Sequence, residues 1–142
     1  MTTEIVRATT VDDELYAAVQ RLMPQLTSSA SPPTREQLAE VIATQDLFIA
    51  RSNGTIVGMG TLATYRTPVG VHCWIEDVVV DNAARGAGAG EALTRALIAR
   101  ARENGARSLA LTSNPRREAA NRLYQRLGFA SWSTNLYRMS LG

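Results

Sequence analysis

Trp74-Ile75-Glu76-Asp77-Val78-Val79-Val80 runs into Asp81-Asn82-Ala83-Ala84-Arg85-Gly86-Ala87-Gly88-Ala89-Gly90, and then into Glu91-Ala92-Leu93-Thr94-Arg95-Ala96-Leu97. The first block reads as a buried β-strand, the second as a glycine-rich turn led by an arginine, and the third as a helix opening directly out of that turn. A strand that delivers a glycine loop to a helix N-terminus builds an anion site. The first helical N–H groups have no intrahelical acceptor, and together they carry about half a positive charge. The expected ligand of this loop is a diphosphate.

Upstream of this stretch, Glu4 to Ala8 alternates like a short strand, and Asp12 and Asp13 supply capping residues for a helix. That helix carries Leu15, Ala18, Val19 and Leu22 at helical spacing, with Pro24 marking its end or a turn. Residues 24 to 33 are small, polar and proline-rich and read as a mobile loop. Thr34 to Gln37 fits a capping box ahead of a second helix that buries Leu38, Val41 and Ile42. Strands are expected at 46–51, 55–65 and 71–80, joined by the Asn53-Gly54 hairpin turn and a turn at 66–70, so that they form an antiparallel meander.

Downstream, the helix from Gly88 to Asn104 stops at Gly105, and 108–112 is a short strand. It is reached by a crossover helix and is therefore parallel to the strand before it. Asn114 and Pro115 open a last helix that Gly128 closes, and 129–133 with 136–141 are expected to form a final hairpin. The fold class is α/β: one domain spanning 1–142, with a mixed, mostly antiparallel sheet, a central parallel strand pair and flanking helices.

The chain of 142 residues has a formal charge of +2, and its basic residues are scattered, which disfavours a nucleic-acid surface. All of them are arginine, with no lysine in the chain; coding bias is the leading explanation, ahead of a functional one. A single cysteine, Cys73, and a single histidine, His72, exclude an internal disulfide and the usual Cys/His metal clusters, so no metal is expected. His72 and Cys73 point to opposite faces of a strand and make no nucleophilic dyad. No apolar signal core or membrane-length run is present, and the expectation is a cytoplasmic protein with no membrane partner.

Other glycine loops fail residue by residue. A P-loop needs a lysine, and a dinucleotide fingerprint needs glycine where Glu91 stands. The pattern present is Arg85-Gly86-Ala87-Gly88-Ala89-Gly90, an Arg-x-x-Gly-x-Gly sequence. It resembles motif A of the GNAT N-acetyltransferase superfamily, whose loop cradles the pyrophosphate of acetyl-CoA. The preceding family pattern Val-x-Pro-x-x-Arg aligns with Val80 to Arg85, departing where Asn82 replaces proline. A second superfamily motif aligns with Asn114 followed by Ala120 to Phe129, including Asn121-x-x-Tyr124 and Leu127-Gly128-Phe129. The resemblance covers about residues 46 to 130.

It implies acetyl-CoA as co-substrate, held by Arg85, Gly86, Ala87, Gly88, Ala89 and Gly90, by the main chain of Val78, Val79 and Val80, and by Asn114, Asn121 and Tyr124. It also implies a strand bulge, with the oxyanion donor a main-chain N–H near Val79 or Val80, and Tyr124 as general acid to the leaving thiolate. Ile75-Glu76-Asp77-Val78 is similar to a segment of glucosamine-6-phosphate N-acetyltransferases, which makes Glu76 the expected handler of the amine proton. Asp77 is the second choice or a substrate-orienting residue. Strand alternation sends the two carboxylates to opposite faces, with Glu76 on the face of Trp74, Val78 and Val80. Both could instead be ion-paired structural groups.

The activity implied is direct acetyl transfer to a primary amine, with a small-molecule acceptor (amino sugar, amino acid or polyamine) ahead of a protein N-terminus or lysine. A non-catalytic acyl-CoA-binding module is the rival from another class; the joint presence of Glu76, Asn121 and Tyr124 argues against it. A homodimer through the C-terminal strands is compatible with the superfamily.

Overall fold

The computed structural model describes residues 3–142, arranged as two compact units, one ending at Leu111 and one beginning at Thr112. The first unit is a five-stranded sheet with helices on both faces. Its elements are β1 (Thr3–Arg7), α1 (Asp13–Leu26), α2 (Arg35–Thr44), β2 (Asp46–Ser52), β3 (Thr55–Thr67), β4 (Gly70–Val80), α3 (Ala89–Glu103) and β5 (Ser108–Ala110). The strands lie in the order β1-β2-β3-β4-β5; every neighbouring pair is antiparallel except β4 and β5, which are parallel. That parallel pair stands at the β5 end of the described sheet.

Two apolar layers hold the sheet. On one face α1 and α2 bring Leu15, Ala18, Val19, Leu22 and Leu38 against Leu47, Ile49, Ile56, Met59 and Val79. On the other, Ala89 and Leu93 of α3 pack on Ala50. The α3 contact is close because β3 carries glycine where the helix crosses. A Cβ on Gly58 would meet the Val79 carbonyl oxygen at 3.0 Å and Leu93 Cδ1 at 3.2 Å, and one on Gly60 would meet Leu97 Cδ1 at 3.1 Å and Val78 Cγ2 at 3.2 Å.

The helix ends follow local chemistry. Asp12 caps α1 by accepting from the Leu15 N–H at 2.8 Å. Thr34 and Gln37 form the expected capping box on α2, satisfying two end N–H groups reciprocally. Gly105, at φ +76°, ends α3. Pro24 does not end α1, which runs on to Leu26. The proline removes one bond from the last turn, and the Thr27 N–H to the Met23 carbonyl (3.0 Å) closes it.

The second unit contains α4 (Glu118–Arg126), closed by Gly128 at φ +105°. This helix starts later than Asn114 and Pro115 suggest. Asn114 instead accepts the Arg116 N–H at 2.9 Å and makes a turn of its own. The final hairpin is not formed: 129–142 contains no strand, and Trp132, Leu136, Tyr137, Met139 and Leu141 are exposed.

Candidate active site

The junction of β4 with α3 is built around a bulge. Glu76 pairs with Thr61 and Val79 with Met59, so Asp77 and Val78 together stand opposite Gly60. Asp77 takes φ +56°, a left-handed conformation that costs a non-glycine residue about 1–2 kcal/mol and that Asp tolerates better than most. The irregularity therefore precedes Val79 and Val80, where it was expected. It also resets the alternation. Glu76 keeps the face of Trp74, opposite Ile75 and Cys73, but the extra residue turns Val78 and Val80 toward α3, where they meet the positions of Gly60 and Gly90. Val79 packs with α1 and α2, on Glu76's side of the sheet.

β5 covers only part of β4. Its three residues pair with His72, Cys73 and Trp74, and past Trp74 that edge of β4 has no strand partner among the described residues. The Asp81 N–H points the other way, to the Val57 carbonyl at 2.7 Å. Alternation along the strand therefore sends the N–H of Val80 to the uncovered edge.

Beyond Val80 a 3-10 turn (Asn82–Ala84) leads to Arg85, which is extended and exposed, and to the glycines. Gly86 (φ +90°) and Gly88 (φ +83°) occupy backbone conformations that side chains resist, and Gly88 is the N-cap of α3 with no side-chain cap bond. An end without such a cap leaves its N–H groups for water or a ligand. Nothing lies within 4 Å of where a Cβ on either glycine would be, so φ and not crowding requires them. Ala87 is exposed, whereas Ala89 is buried and anchors the helix start.

Among the described residues the side chains of Glu76 and Asp77 make no ion pair or hydrogen bond, so the structural pairing considered for them is not seen. The Glu76 carboxyl titrates above the ordinary glutamate range. Glu76 is an exposed residue, and the partial desolvation its carboxyl still suffers against the sheet is the larger cause, the Asp77 charge the second.

Within the second unit, Tyr124 is buried and meets Phe129 edge-on, with ring centroids 5.9 Å apart. Asn121 spends both amide hydrogens on main-chain carbonyls, of Asn114 at 3.0 Å and Arg117 at 2.9 Å. Its side chain thus secures the turn before α4, and only its Oδ1 remains for a ligand.

Sequence reading did not find the struts behind the loop. Asp81 is held below the ordinary carboxylate range, chiefly by the Ala83 N–H, with burial opposing and Gln25 and Arg21 of α1 assisting. The available signal was the asparagine in place of proline at 82, whose N–H needs an acceptor. No helix among the described residues is long and apolar enough to cross a membrane, and no group of three metal-ligating side chains occurs among them.

The acetyltransferase (GNAT) family model matches residues 13–129. The chain belongs to this family. A mycothiol acetyltransferase from Thermobispora bispora is 36% identical over 95 residues, covering 64% of this chain but 32% of that protein, so the chain spans about a third of this relative's length. Among solved structures, an aminoglycoside acetyltransferase from an uncultured soil metagenomic sample superposes with a TM-score of 0.84 at 20% identity, over 99% of this chain and 97% of the other. A Trypanosoma brucei acetyltransferase gives 0.78 at 27% identity, over 99% and 100%. The chain has the fold of the GNAT family, and that family implies the use of acetyl-CoA.

Proposed function

We propose that this GNAT protein transfers the acetyl group of acetyl-CoA directly to a primary amine of a small-molecule acceptor, an amino sugar, amino acid or polyamine. The observation that carries the reading is the junction itself. An uncapped helix N-terminus behind two left-handed glycines follows directly on the strand whose unpaired Glu76 carboxyl titrates high. The family match runs through both compact units, which supports treating 1–142 as one catalytic domain. A cytoplasmic setting remains the expectation.

A primary amine with a pKa near 10.4 is mostly ammonium at pH 7, and freeing its lone pair costs about 4–5 kcal/mol. A carboxylate with a raised pKa is a better base for that proton than an ordinary one. Glu76 takes it, directly or through water, and Asp77 tunes Glu76 by its charge and orients the acceptor. The amine nitrogen then attacks the thioester carbonyl, forming the N–C bond, and the developing oxyanion accepts from the Val80 N–H. The C–S bond breaks, the thiolate takes a proton from Tyr124, and the proton shed by the acylated nitrogen returns through water to the tyrosine. The glycine-loop N–H groups and Arg85 bind the diphosphate, and Asn114 and Asn121 shape the turn that carries Tyr124. An amino-sugar acceptor is supported by the Ile75-Glu76-Asp77 segment and by the fold likeness to an aminoglycoside acetyltransferase.

Thiol release from acetyl-CoA, followed over a panel of amino sugars, amino acids, polyamines and N-terminal peptides, tests the reading. Turnover with a small amine and recovery of its N-acetyl product is the expected result. Tight CoA binding without turnover on any amine would contradict it.

A further inference from the structure

We infer that Gln25 of α1 positions the glycine loop by gripping Asn82, at the place where a proline would otherwise stiffen the chain. The Gln25 Oε1 accepts the Asn82 N–H at 2.8 Å, and its Nε2 donates to Asp81 Oδ1 at 3.5 Å. The same Asp81 oxygen accepts the Ala83 N–H at 3.1 Å, while its Oδ2 lies 3.5 Å from Arg21 Nε. Arg21 sits one helical turn before Gln25 and is itself held to the Ile56 carbonyl at 2.6 Å. Two side chains of α1 thus clamp the turn that sets the direction of Arg85, Gly86 and Gly88.

A proline at 82 would fix its own φ but has no N–H to offer Gln25. Asp81, at φ −52° and ψ 132°, already has the extended conformation required of a residue before proline. The backbone therefore accepts either device, and in this chain the hydrogen bond from a different element does the work of the ring. Gln25 is a positioning residue: it acts on acetyl-CoA through the loop. The inference rests on the loop being the acetyl-CoA site.

The full chain is compared with Gln25→Met, which keeps the stem without the acceptor, with Asn82→Pro, and with both together. Acetyl-CoA affinity is measured by calorimetry, and amide hydrogen exchange over residues 83–90 is measured without ligand. In the parent background Gln25→Met is expected to weaken acetyl-CoA about three- to tenfold, the size of one net hydrogen bond. It should also speed exchange in 83–90 while leaving the melting temperature near that of the parent. In the Asn82→Pro background the same substitution should have less than half that effect on both readouts. Equal losses in both backgrounds, or exchange over 83–90 unmoved by Gln25→Met, would overturn the inference. Coupled exchange in a protein that binds no acetyl-CoA would instead retain the clamp and refute the cofactor reading. Should Asn82→Pro fail to fold, the exchange of Gln25→Met alone decides.

Discussion

Glu76 and Asp77 are adjacent carboxylates that the bulge makes unequal. Asp77 carries the left-handed backbone conformation, while Glu76 takes the desolvation and the repulsion of its neighbour. A base acts only when ionised, so the acid limb of kcat/KM is expected above the ordinary glutamate range. Asp77→Asn removes the like charge and should move that limb to lower pH. Glu76→Gln should lower kcat by about 10²–10⁴-fold with acetyl-CoA affinity retained. For a carboxyl whose folded pKa is raised, the stabilising contribution exists below the unfolded pKa and fades as pH rises through the folded one. Glu76→Gln should therefore melt no lower than the parent at neutral pH. A limb that stays in place in Asp77→Asn would contradict the tuning of Glu76 by Asp77. This tuning could not be read from Ile75-Glu76-Asp77, because strand periodicity has no means of announcing a bulge.

At the scale of elements, the glycine loop is aimed by how closely α3 can approach the sheet. That approach depends on Gly58 and Gly60, neither of which stands in the motif. Gly58→Ala places a methyl 3.0 Å from the Val79 carbonyl oxygen, a backbone atom with little room to give. Overpacking of this kind costs about 1–3 kcal/mol, so a denaturant melt should show a loss in that range; an unchanged midpoint would mean that α3 is free to retreat. The elements of the first unit were legible because their signals are local: the Thr34 box, the Asn53-Gly54 turn, and Leu93 and Leu97 at helical spacing. Where signals competed, the outcome differed. Pro24 lies in a last turn that needs few of its bonds. Asn114 spends its cap on the turn before α4, and the alternation after 129 forms no hairpin.

In the molecule taken whole, long-range polar contacts tie distant parts of the first unit together. Asp46, at the start of β2, accepts from Arg7 of β1 at 3.1 Å and from Asn104 at the end of α3 at 3.2 Å, and pairs with Arg100 at 3.1 Å. Burial alone would raise its pKa, but hydrogen bonds from Arg100, Asn104 and Arg7 outweigh it and hold the carboxyl below the ordinary aspartate range. A depressed carboxyl stabilises the fold above its unfolded pKa and loses that contribution as pH falls through the folded value. Asp46→Asn should therefore cost about 1.5–3 kcal/mol at pH 7, with parent and variant converging in acid. A gap that persists in acid would assign the loss to packing. No sequence signal joins residues 7, 46, 100 and 104, and none joins Gln25 to Asn82, since these partners meet only in three dimensions. The strand, bulge-bearing junction and glycine loop proposed as the donor site form one contiguous stretch from Glu76 to Gly90, whereas no single stretch spells out an acceptor site.

The central claim is that the loop at the start of α3 holds the diphosphate of acetyl-CoA, and Ala87→Asp tests it most directly. Ala87 is exposed, and an acid near a helix N-terminus does not destabilise the free protein. A calorimetric titration should show the parent binding one acetyl-CoA per chain and the folded variant binding at least about tenfold more weakly, as repulsion in an anion cradle requires. Equal affinity in the two proteins would contradict the account.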